Sequence, residues 1–126
     1  MKIGKYKLFS IETSEFSLDG GAMFGIIPKV MWEKKAPSDN LNRIKMVTRS
    51  LLLVSDSHKI IIDTGNGSKW TKKHLELYNI DLSMYNIKTS LNKHGFTTED
   101  ITDVICTHLH FDHAGGNTIY DEDRLV

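Results

Sequence analysis

Apolar positions follow two rhythms along the chain, one of period two in the first half and one of helical period after residue 63. Ile3, Tyr6, Leu8, Phe9 and Ile11 predict an opening strand. Residues 47–55 and 58–63 flank the polar turn Ser55-Asp56-Ser57 and predict a hairpin. Between these, residues 19–42 hold both prolines, Pro28 and Pro37, and several glycines, and read as one long loop.

After Asp63 the spacing changes. Trp70, His74, Leu77 and Tyr78 predict one helix, and Tyr85, Ile87, Leu91 and His94 a second that stops at Gly95. Their apolar faces read as core packing. Thr97-Thr98-Glu99-Asp100 predicts a capped turn, and Val104-Ile105-Cys106 a strand running into a histidine cluster. Strands followed by helices and a further strand predict an α/β (α+β) fold with a mixed sheet and flanking helices.

The length of 126 residues allows one domain and not two. Sixteen Lys plus Arg balance 16 Asp plus Glu, so no long-range field attracts an anionic polymer, and nucleic acid is not the expected partner. The longest aliphatic run, residues 51–54, is far short of the roughly 20 needed for a transmembrane helix. The opening MKIGKYKLFS interleaves lysines with single apolar residues, unlike a secretory signal, so a cytoplasmic location is expected. The single cysteine, Cys106, lies in an apolar stretch and is expected to be a buried, inert thiol.

The chemistry concentrates in Thr107-His108-Leu109-His110-Phe111-Asp112-His113. In an extended segment, residues two apart share a face, so His108 and His110 can offer their imidazoles to one metal ion. If the chain turns next, Asp112 and His113 project beside them and can hold a second ion. Nitrogen and carboxylate donors without thiolate suit zinc, and iron or manganese would also accept them. Such a site activates water near neutral pH and polarises the carbonyl or phosphoryl oxygen under attack. His58, His74 and His94 lack comparable partners and read as structural or solvated.

The run from His108 to His113, followed by Ala114-Gly115-Gly116-Asn117, resembles the metallo-β-lactamase superfamily. Lys59-Ile-Ile-Ile-Asp63-Thr64-Gly65 is similar to that superfamily's early strand ending in Asp-x-Gly. The segment from Asp19-Gly20-Gly21-Ala22-Met23-Phe24 to Pro28-Lys29, with Trp32, resembles the branch of quorum-quenching lactonases. The resemblance implies the N-terminal half of an αββα sandwich and a dinuclear zinc hydrolase of small esters or lactones, N-acyl homoserine lactones among them. It implies His108 and His110 on the first ion and Asp112 and His113 on the second, with Asp112 also handling a proton. It implies that Asp63 orients the ligand loop, the alternative being a turn-forming Asp before Thr64-Gly65. Met23 and Phe24 are expected at the pocket mouth against an apolar part of the substrate, or else in the core.

Further ligands of the superfamily arrive well after the first motif, whereas no histidine occurs in residues 115–126, and Asp121 and Asp123 lie in a charged, loop-like stretch. Residues 1–126 are therefore expected to be the N-terminal portion of one domain, inactive without a C-terminal half, with which the chain would pair unless it forms a homodimer. The competing readings are a non-catalytic metal-binding or dimerising module, and a hydrolase of phosphoesters, sulfate esters or β-lactams. An iron-dependent oxidoreductase of the same fold and an RNA-processing nuclease are the less favoured alternatives.

Overall fold

A computed structural model describes residues 1–122, 124 and 125; Asp123, expected in a terminal loop, and Val126 lie outside the described residues. A five-stranded sheet in the order β1-β2-β3-β4-β5 forms the body. Its centre is the long antiparallel pair of β2 (Tyr6–Asp19) and β3 (Arg43–Val54). Strand β1 (Lys2–Ile3) folds back on the start of β2, and β4 (Lys59–Ile62) returns along the end of β3 through the polar turn expected at residues 55–57. Strand β5 (Asp103–Ile105) then lies parallel to β4, which makes the sheet mixed.

Alternation places Phe9, Ile11 and Leu52 on one face of the sheet, and helix α4 (Ile87–Asn92) covers them. Ile11, Leu52 and Leu91 have no exposed surface, and each contributes about 1.5–3 kcal/mol of burial free energy. The Asn86 side chain caps α4 by accepting from Thr89 N at 2.9 Å, and Gly95 takes a positive φ of 81° beyond its end. Helix α3 (Lys72–Leu77) is shorter than its apolar spacing predicts: Thr71 caps it, which leaves Trp70 outside.

Residues 19–42 are not one loop. They form two helical turns, α1 (Gly20–Phe24) and α2 (Lys29–Trp32). Asp19 fixes the first by accepting from Ala22 N at 2.7 Å and from Asn42 Nδ2 at 2.9 Å, so the segment is stapled at both ends. Buried Trp32 fixes the second: its ring stacks on Phe24 at 5.0 Å and presses on Gly20 where any Cβ would collide. These anchors are long-range, which is why glycine and proline content alone suggested a loop.

A bulge in the β2–β3 ladder between Glu12 and Ser14 turns Thr13 and Ser14 inward. The Thr48 hydroxyl lies 2.6 Å from that of Thr13 and 2.8 Å from that of Ser14, and Asn66 Nδ2 donates to Ser14 Oγ at 2.8 Å. This buried polar network joins the central strands to the segment after β4. Gly65, at φ 70°, has no room for a Cβ beside Thr13.

Near the chain end, α5 (Phe111–Ala114) runs into a 3₁₀ turn (Gly115–Asn117), and β6 (Tyr120–Asp121) pairs with β7 (Arg124–Leu125). Asp121 is thus in a strand rather than a loop. No helix among the described residues is long and apolar enough to cross a membrane.

Candidate metal centre

Parallel pairing of β4 with β5 brings Ile62 beside Ile105, so Asp63 and the histidine motif leave the sheet together at the carboxyl ends of two neighbouring strands. Residues 106–110 are irregular and do not prolong β5, which corrects the expectation of an extended strand through His108 and His110. Their rings are nevertheless neighbours, with centroids 4.7 Å apart. The chain turns at His110 into α5, which carries Asp112 and His113, and brings the His113 ring to 4.0 Å from that of His108.

Asp63 holds this turn in place. Its backbone is left-handed, at φ 59°, a conformation that Asp tolerates better than most residues. Its carboxylate accepts from Thr107 N at 2.8 Å and from the Thr107 hydroxyl at 3.0 and 2.9 Å, and lies 2.8 Å from His113 Nδ1. Burial, the largest single influence, pushes its pKa up, but the hydrogen bonds from His113 and Thr107 together outweigh it and hold the carboxyl below its ordinary value. An ionised carboxylate only accepts, so the proton between the two groups belongs to His113 Nδ1, and in the neutral ring Nε2 presents its lone pair. Asp63 thus sits in a left-handed turn and hydrogen-bonds the motif loop at Thr107 and His113.

His113 Nε2 lies 3.5 Å from Asp112 Oδ2. Two ligands of one tetrahedral zinc ion are about 3.4 Å apart, given metal–ligand bonds near 2.0–2.2 Å. The donor chemistry and this spacing fit a divalent metal. No group of three or more His, Cys, Asp or Glu among the described residues is arranged to hold an ion; the His108 ring lies 4.0 Å from that of His113 and 4.7 Å from that of His110.

A cavity of about 280 Å³ opens beside Asp63, Asp112 and His113. Phe16, Met23 and Met46 give it an apolar side, while Ser50 contributes a buried hydroxyl with no hydrogen-bond partner among the described residues. Met23 thus shares a cavity with the motif residues, whereas Phe24 is stacked on Trp32. Phe111 packs in an aromatic cluster with Tyr78 at 5.0 Å, Trp70 at 5.4 Å and Phe16 at 6.2 Å. Cys106 is half-buried rather than buried, with Asn117 Nδ2 at 3.1 Å from its sulfur. His58, His74 and His94 lie apart from the motif, His58 against Ser57, His74 against Thr71 and Tyr78, and His94 against Phe9.

Several supporting residues carried no sequence signal. Thr107 donates twice to Asp63, Thr64 donates to His113 O from its N at 2.7 Å, and the Thr64 hydroxyl donates to Asn117 Oδ1 at 2.8 Å. Thr107, directly before the motif, and Thr64, directly after Asp63, had positions that could have marked them.

Residues 45–123 match the profile of the metallo-beta-lactamase superfamily. Among curated proteins, the N-acyl homoserine lactonase AiiB of Agrobacterium fabrum (strain C58 / ATCC 33970) is 27% identical over 128 residues, covering 95% of this chain and 46% of its own length. Among solved structures, a probable metal-dependent hydrolase from Staphylococcus aureus superposes with a TM-score of 0.82 at 35% identity, over 92% of this chain and 42% of that one. AidC, a dizinc quorum-quenching lactonase solved in complex with a product, gives a TM-score of 0.68 at 26% identity, over 100% of this chain and 40% of AidC. The chain spans less than half the length of these relatives.

Proposed function

From the premise that this chain belongs to the metallo-β-lactamase superfamily, we propose that it supplies the first part of the metal centre of a hydrolase that opens lactones or small esters, with N-acyl homoserine lactones as the leading substrates. The rest of the single domain, with the remaining ligands, lies on this reading beyond residue 126. The observation that carries the proposal is the Asp112–His113 pair at ligand spacing, with the other nitrogen of His113 anchored on Asp63. Similarity to a dizinc lactonase and to a homoserine lactonase gives the substrate class.

His108 and His110 would hold one zinc ion, and Asp112 and His113 the other; iron or manganese suits the same donors. Bound metal supplies Lewis acidity toward the ester carbonyl and a nucleophile at neutral pH. Asp63 keeps His113 in the tautomer that leaves the Nε2 lone pair free to bind a metal. Asp112, turned by Oδ2 toward His113, has Oδ1 to receive a proton and return it as the ring-opened hydroxy acid forms. Met23, Phe16 and Met46 offer the apolar wall that an acyl substituent needs beside a polar reaction centre. Phe24 stacks on Trp32 and is not among the residues that line this wall.

The test is hydrolysis of N-acyl homoserine lactones by the full-length zinc-loaded protein. His110→Ala is expected to lower kcat/KM by about 100-fold or more. Undiminished turnover by that variant would sink the proposal.

A further inference from the structure

Lys69 sits on the segment that follows Asp63, outside the donor set. Its ammonium donates to the carbonyl oxygens of Gly115 and Thr118, on the turn that follows α5. No carboxylate among the described residues lies within ion-pair distance of it. Half-buried, with its pKa pushed down by burial, it is compensated by these two carbonyls.

The surrounding backbone explains why this contact controls geometry. Residues 64–69 lie directly against residues 113–118: Thr64 N donates to His113 O, Gly65 bridges Ala114, and Gly67 and Gly115 leave no space for a Cβ on either side. The near end of the turn is thus held at His113 by Thr64, and Lys69 is the clamp at its far end. Asp112 and His113 ride on α5, which runs into these holds from the N-terminal side, so the placement of α5 against residues 64–69 sets how both donors face the site.

We propose that Lys69 is a positioning residue for the Asp112–His113 metal position, anchoring from its C-terminal side the helical turn that carries both donors, whereas His108 and His110, on the irregular segment before that turn, are not anchored by it. The inference rests on the hydrolase reading above. Its test is zinc titration of the full-length apo-protein followed by native mass spectrometry, with thermal unfolding of the apo-protein as the check on folding.

Wild type is expected to bind two zinc ions, and Lys69→Met to bind the first normally and the second about 10-fold more weakly. Lys69→Arg, which keeps charge and donors, is expected to restore most of the second affinity. Wild-type binding of both ions by Lys69→Met overturns the inference and leaves the hydrolase reading standing. Equal weakening of both ions also overturns it, because the role is then general to the fold. If wild type binds no zinc, the hydrolase reading fails and takes the inference with it. Should Lys69→Met not fold, Lys69→Gln keeps amide donors on a shorter stem: an intermediate loss confined to the second ion supports the inference, and wild-type binding overturns it.

Discussion

The β2–β3 pair with α4 and the loop that carries the histidines are built on opposite principles. In the first, register, alternation and a capped helix agree, and the contact of Leu91 with Ile11 and Leu52 is apolar and fully buried. In the second, His108 and His110 are exposed, and order comes from hydrogen bonds made by Asp63, Thr64 and Lys69, residues distant in sequence. One region is stabilised by desolvation, and the other is shaped by directed polar contacts. Perturbing the first should alter stability, and perturbing the second should alter chemistry.

The largest expected effect is in the first region. Leu52→Ala removes a fully buried side chain and should cost about 2–5 kcal/mol in denaturant unfolding, with zinc affinity of the folded fraction unchanged. A matching loss of zinc affinity would erase the distinction between the regions.

Asp63→Asn attacks the second region. It keeps the shape but loses the ionised acceptor for His113 and Thr107, so affinity for the Asp112–His113 ion should fall about 10–100-fold in a zinc competition assay. The carboxyl also gives this region a pH signature. Its folded pKa lies below the unfolded one, so its stabilisation is complete above the unfolded value near pH 3.9 and is lost as pH falls through the folded value. Acid unfolding of the apo-protein should therefore be steeper below about pH 4 for wild type than for Asp63→Asn.

The smallest effect sharpens the comparison from the surface. Glu12 and Arg49 form an ion pair at 3.1 Å whose side chains are 35% and 58% exposed. Arg49→Ala should change stability by less than about 1 kcal/mol, and added salt should shrink even that difference.

Legibility in the sequence divided along the same line. The hairpin of residues 47–63, the helix around Leu91 and the turn at residues 97–100 rest on short-range signals: alternation, caps and a polar turn. The two helical turns in residues 19–42 escaped because Trp32 and Asn42 hold them from a distance. The donor residues were visible because their spacing is unusual, and Asp63 was expected to orient their loop, but the other residues that hold the loop were not. Thr107, Thr64 and Lys69 are ordinary residue types whose roles exist only once β4 and β5 lie side by side.

Sequence by itself determined the hairpin, the helix around Leu91 and the identity of the candidate donors, because periodicity, caps and residue type are local properties of a chain. Tertiary structure alone decided which nitrogen of His113 is left free and what holds the turn that follows it. Those depend on distances between segments some fifty positions apart in the chain, and only the parallel pairing of two strands and the close approach of two glycine-rich backbones set them.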